Sequence, residues 1–212
     1  ALTSVFTWAM KPERGFVAGN PAKEVGRLKE PGGRERFLSR PVDEAFSELE
    51  RLLEACRTVK RSPYLYDVVV LFLSTGCRQS EIMNLRRSEI RLAEGGFTLP
   101  AGRTKSRKTR FIPLAGEALE IVRKRLALPT FGSPYLFPGR KPGQASLFPR
   151  RAWGVALDRA KITDFGPHDL RHTYLSYLAM MDKSQAEIME AGGHADPRSS
   201  ARYTHLANEH KR

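Results

Sequence analysis

The apolar residues of this chain mostly recur at helical spacing, and the one stretch where they turn to a strand pattern restricts the fold more than any other feature. Between residues 88 and 114 the pattern changes to short extended pieces, residues 90–92, 97–99 and 109–114. Glu94-Gly95-Gly96 separates two of them, and a basic turn over residues 103–108 precedes the third. The expectation is a mostly α-helical domain with a small three-stranded antiparallel sheet whose tip is positively charged.

Helices are expected on both sides of that sheet. Before it they cover residues 2–10, a segment opening at Pro41-Val42-Asp43-Glu44 and running to about Cys56, and residues 63–74. The run Val68-Val69-Val70-Leu71-Phe72-Leu73 fits a buried strand as well as a helix by periodicity alone. The residues just beyond it favour a helix, because Gly76 is placed to end it and Ser80 then starts another before Glu81, Ile82 and Leu85. Arg78 falls at the junction between the two. After the sheet come helices over 117–126, 147–161, 169–181 and 185–191, with a Pro/Gly-rich loop over 129–143. Asp196-Pro197 reads as a cap with proline in the first turn, opening a last helix that carries Arg202 and Tyr203.

A length of 212 residues suits one main domain. Residues 23–40, rich in Lys, Arg, Glu and Gly, have a linker composition and set a boundary near residue 38, dividing the chain into 1–37 and 38–212. The chain opens on Ala1 and at once reads as the middle of a helix, which is expected of a piece of a longer protein.

Charge narrows the partner. Lys and Arg number 36 against 23 Asp and Glu, a net charge of +13 that favours a polyanion. Neither a signal-peptide pattern nor a run of about 18 apolar residues is present, so the chain is expected to be soluble and cytoplasmic, without a membrane partner. Cys56 and Cys77 have no metal-ligand spacing and read as reduced, packed thiols. No metal and no cofactor is expected.

Four motifs then arrive in order: Thr75-Gly76-Cys77-Arg78-Gln79-Ser80-Glu81-Ile82, His168-Asp169-Leu170-Arg171-His172-Thr173, Gly192-Gly193-His194, and Ala201-Arg202-Tyr203-Thr204-His205. Between the first two lies Arg103-Thr104-Lys105-Ser106-Arg107-Lys108-Thr109-Arg110, followed by Pro113-Leu114. Together they resemble the catalytic domain of the tyrosine recombinase, or phage integrase, family, and the nine residues from His194 to Tyr203 match its usual spacing. The resemblance covers residues 38–206. It departs where Ala191 precedes Gly192-Gly193-His194, since many relatives carry Leu before Gly-His.

That resemblance implies the DNA breaking-rejoining fold, with residues 1–37 as the end of a separate core-binding domain. It also implies attack by Tyr203 on a DNA phosphate, leaving a 3′-phosphotyrosine and a free 5′ hydroxyl. A five-coordinate phosphoryl centre needs charge neutralised on its non-bridging oxygens, and planar guanidiniums such as Arg78 and Arg171 match that need bidentately. By resemblance, Lys105 of the hairpin protonates the departing oxygen, with Lys108 as its rival, and Glu81 braces the arginines. His168 is placed as the general base for Tyr203 and His194 as a hydrogen-bond donor to the phosphate. His172 and His205 read as structural or supporting residues. Arg103, Arg107, Lys108 and Arg110 are expected on DNA.

The expected partner is double-stranded DNA at attachment or recombination sites, engaged by a tetramer of the full-length protein. The function this points to is integration or excision of a mobile element. Alternatives within the same chemistry are a chromosome-dimer-resolving recombinase and a type IB topoisomerase-like enzyme. Outside it stand a non-catalytic DNA-binding regulator and a generic basic RNA-binding protein.

Overall fold

Two units make up the chain, Ala1–Arg34 and Glu35–Arg212, and a computed structural model describes residues 2–25, 36–38, 47–104, 107–129, 132–194, 196 and 203. In the first unit helix α1 (Leu2–Ala9) is followed by a 3-10 turn at Pro21–Lys23. Asn20 ties them together: its Nδ2 donates to the Thr3 carbonyl and to Thr7 Oγ1, both at 3.0 Å, and its Oδ1 accepts from the Ala22 amide at 3.2 Å. Trp8 stacks on Phe16, and the Arg14 guanidinium lies 3.9 Å from the Trp8 ring centre.

Among its described residues the second unit is mostly helical with one three-stranded antiparallel sheet, as its periodicity predicts. Helix α2 (Glu48–Thr58) starts with a reciprocal cap. Ser47 Oγ accepts from the Glu50 amide at 3.2 Å, and Glu50 Oε2 accepts from the Ser47 amide at 2.7 Å. The expected start at Pro41-Val42-Asp43-Glu44 lies outside the described residues. Helix α3 (Leu65–Thr75) packs against α2, against α5 (Gly116–Ala127) and against α7 (Asp169–Met180). Being covered on three sides, it buries seven of its eleven residues and offers no apolar stripe, which is why its run of valines also fitted a strand. Gly76 caps it with φ +58, and a Cβ there would come 2.2 Å from the Tyr174 ring, so conformation and space both demand glycine.

Helix α4 (Gln79–Met83) follows directly, with Arg78 rather than Ser80 at its N-cap. The sheet runs β1 (Ile90–Arg91), β2 (Gly96–Leu99), β3 (Arg110–Pro113), in that order, all antiparallel. Phe97 pairs with Ile112 and Leu99 with Arg110, so one face carries Phe97, Leu99 and Ile112 into the core and the other shows Phe111 to solvent. Helix α6 (Arg150–Ala160) covers α2, and α8 (Gln185–Gly192) covers α7.

Two connections are better anchored than a loop reading predicts. In the 129–143 segment Leu136 and Phe137 are fully buried, and the Leu136 amide donates to the Leu85 carbonyl at 2.8 Å. Leu38, also fully buried, donates through its amide to Thr173 Oγ1 and accepts from the Tyr177 hydroxyl, both at 3.0 Å, which pins the entering chain to α7. The helix expected from Asp196-Pro197 lies outside the described residues, apart from Asp196 and Tyr203 themselves. Among the described residues no helix is long and apolar enough to cross a membrane.

Candidate active site

Helix starts and helix ends converge on one spot, which is where backbone groups are left over to bind side chains. Arg78 sits at the start of α4, Arg171 in the first turn of α7, and Gly192-Gly193-His194 at the end of α8. Arg171 is nearly inaccessible. Its Nη1 donates to the Gly76 carbonyl at 2.5 Å, its Nη2 donates to the Gly192 carbonyl, and that same nitrogen lies 2.8 Å from His194 Nε2. Burial, then the neighbouring Arg78, pushes the Arg171 guanidinium down to about 10, which leaves it charged at neutral pH.

Arg78 is the more open of the two. Its Nη2 donates to the Gly193 carbonyl at 3.2 Å, while Glu81 accepts from its amide at 2.7 Å and from its Nη1 at 3.1 Å. Glu81 is buried and also accepts from Arg110 Nη2 at 3.3 Å. Three guanidiniums around one carboxylate leave two positive charges in excess, in a region too dry to screen them. An anion placed beside Arg78 would be strongly favoured there.

Arg110, expected among the DNA-contacting cations, turns inward. Its Nη1 donates to the Ala191 carbonyl at 3.2 Å, its Nη2 lies 3.7 Å from Cys77 Sγ, and its buried Nε has no hydrogen-bond partner among the described residues. The cause is strand alternation: Arg110 pairs with buried Leu99 and shares a face with Ile112. A Cβ on Gly193 would come 2.2 Å from Arg110 Nη1, and one on Gly192 would crowd both His194 and Arg171 Nη2. The paired glycines are what let these groups meet. Cys77 stays a thiol, pushed up to about 11 by burial even beside Arg110.

The rest of the basic hairpin divides. Arg103, also expected on DNA, is bound to Glu89 through Nη1 and to the Glu81 carbonyl through Nη2 at 3.2 Å. Arg107 and Lys108 are exposed at the tip, where Thr104 Oγ1 closes the turn on the Lys108 carbonyl at 2.8 Å. Lys105 lies outside the described residues.

Tyr203 is buried against Leu175, Ala179 and Ile188. Its hydroxyl lies 2.5 Å from Nδ1 of His172, a residue read from sequence as merely supporting. His168 is exposed at the start of α7, its ring edge-on to that of His172 with centres 4.9 Å apart. The signal for His172 was present: at about 100° per residue, positions 168, 172, 175 and 179 form one stripe of α7 about 60° wide, with 171 beside it. A buried tyrosine seated on Leu175 and Ala179 must therefore meet His172. Among the described residues no group of three His, Cys, Asp or Glu is placed to hold a metal ion.

Over residues 45–210 the chain matches the model of the Phage integrase family. Tyrosine recombinase XerC of Thermodesulfovibrio yellowstonii is 31% identical over 209 residues, covering 92% of this chain and 66% of that one. The shufflon-specific DNA recombinase of Escherichia coli is 32% identical over 206 residues, covering 97% of this chain and 49% of that one. The solved catalytic domain of bacteriophage HP1 integrase matches with a TM-score of 0.58 at 26% identity, covering 82% of this chain and 91% of that domain. The chain thus spans about half to two thirds of the length of the two curated relatives.

Proposed function

The chain belongs to the phage integrase family, and on that premise we propose that it is the catalytic domain of a site-specific DNA recombinase serving a mobile element, with Tyr203 as its nucleophile. The observation that carries the reading is the arginine cluster. Two guanidiniums fixed by Gly76, Gly192, Gly193 and Glu81, with a net positive excess, form a ready site for a phosphodiester.

In this reading Arg78 and Arg171 neutralise the non-bridging oxygens, and His194, whose Nε2 accepts from Arg171, has Nδ1–H left to donate to the phosphate. The Tyr203 oxygen bonds phosphorus as the P–O5′ bond breaks, and Lys105 returns a proton to the departing oxygen. The bond energy is retained in the phosphotyrosine, so rejoining needs no nucleotide. The residues gathered at the site are cationic, whereas two-metal phosphoryl transfer uses clustered carboxylates. Arg107 and Lys108 at the hairpin tip are the exposed cations offered to the DNA backbone. Residues 1–37 supply the end of a core-binding domain, and the full-length protein acts as a tetramer on paired duplexes.

A chromosome-dimer-resolving recombinase is the second reading, supported by the likeness to a XerC protein. The direct test uses the full-length protein on nicked suicide duplexes tiled across the DNA flanking its gene and across the host's chromosome-resolution site. The expected outcome is an SDS-resistant protein–DNA adduct that Tyr203→Phe abolishes while duplex binding persists. A wild type that binds these duplexes and traps nothing is a DNA-binding regulator instead, and an adduct formed by Tyr203→Phe moves the nucleophile elsewhere. Adducts confined to the host's chromosome-resolution site, with none at the flanking DNA, select the second reading.

A further inference from the structure

We propose that His172, and not the His168 of the recognised motif, accepts the Tyr203 proton when the phenol attacks phosphorus. This rests on the recombinase reading above. A general base must lie within hydrogen-bond reach of the proton it removes. His172 Nδ1 is 2.5 Å from the Tyr203 hydroxyl, and Tyr203 is buried in one apolar cluster with Leu175, Ala179 and Ile188. His168, by contrast, is exposed, and its ring packs on that of His172.

The geometry also divides labour along α7. Arg171 points to the carbonyls of Gly76 and Gly192, and His172, the next residue, is rotated by about 100° onto the tyrosine. Phosphate binding and nucleophile activation thus come from adjacent residues of one helix turn. His168, between them in direction, braces the His172 ring edge-on and is a positioning residue. In the step itself the Tyr203 O–H bond breaks as an N–H bond forms on His172 Nδ1. The phenolate oxygen bonds phosphorus, the P–O5′ bond breaks, and the 5′ oxygen takes its proton from Lys105. The reverse reaction returns the proton from Nδ1 to the phenol.

One substitution separates base from scaffold. His172→Asn places an amide oxygen where Nδ1 was, so it keeps a hydrogen bond to Tyr203 but cannot take the proton. On a duplex that the wild type cleaves, this variant is expected to bind DNA normally and form adduct about a hundredfold or more slowly. A duplex with sulfur in place of the bridging 5′ oxygen then identifies the impaired step. A thiolate leaves without a proton, so this substrate should rescue Lys105→Ala and leave His172→Asn slow. Nitrogen-15 NMR of the wild type, without DNA, should find Nδ1 of His172 unprotonated and Nε2 carrying the hydrogen.

Adduct formation by His172→Asn at or above the wild-type rate overturns the proposal, as does rescue of that variant by the sulfur substrate. So does a proton on Nδ1 in the resting protein. Loss of duplex binding by His172→Asn would make the residue structural and also overturns it. If the wild type forms no adduct on any duplex, the recombinase reading fails with the step, while the tautomer measurement still reports separately on the histidine–tyrosine bond.

Discussion

The base and the tip of the basic hairpin carry the same kind of charge and use it in opposite ways. Within residues 103–110, Arg103 and Arg110 fold inward onto Glu89 and Glu81, whereas Arg107 and Lys108 remain exposed. Nothing in their chemistry separates the two pairs. What separates them is whether the backbone directs the side chain to a buried carboxylate. For Arg110 the pleat of β3 does so, placing it opposite Leu99. A run of like charge is therefore two structures, one that builds the site and one that is free to meet a polyanion.

Three substitutions test that division. The largest effect belongs to Glu81, the buried acid shared by Arg78 and Arg110. Glu81→Ala leaves guanidiniums uncompensated in a dry site and is expected to destabilise the protein by about 3–5 kcal/mol in urea unfolding. A loss below about 1 kcal/mol would mean that the cluster is far better solvated than its burial indicates. Next comes Arg110→Met, which removes three hydrogen bonds but leaves Glu81 paired with Arg78. It should cost about 1–3 kcal/mol and leave the salt dependence of duplex binding unchanged. A shallower salt slope would return Arg110 to the DNA surface and erase the contrast.

Sequence alone revealed the frame of this molecule more readily than its contacts. The sheet, its position between helices and the glycine end of α3 are local matters of period and cap, and they were legible. So were Arg78, Arg171 and His194 as one group, which the structure joins through Gly192 and Gly193. The inward turn of Arg110 was legible in principle, because it alternates with exposed Phe111 and buried Ile112, but a basic run draws attention to charge and away from pleat. The meeting of His172 with Tyr203 was harder, since it needs two segments 31 residues apart to pack. Helical angle shows which residues of α7 share a stripe, and only the fold shows what covers it.

The smallest effect is also the most specific. Lys108 is exposed, so Lys108→Ala should leave stability within about 0.5 kcal/mol of the wild type. If the tip serves DNA, each phosphate that is no longer neutralised means one counterion fewer released, and the log–log salt slope for a random-sequence duplex should become shallower by about 0.9. The comparison with Arg110→Met is then decisive, because both variants delete one positive charge from the same short hairpin. Net charge changes equally in the two, so a long-range field would alter both slopes alike. Only direct contact predicts that the exposed residue changes the slope and not the stability, while the buried one changes the stability and not the slope.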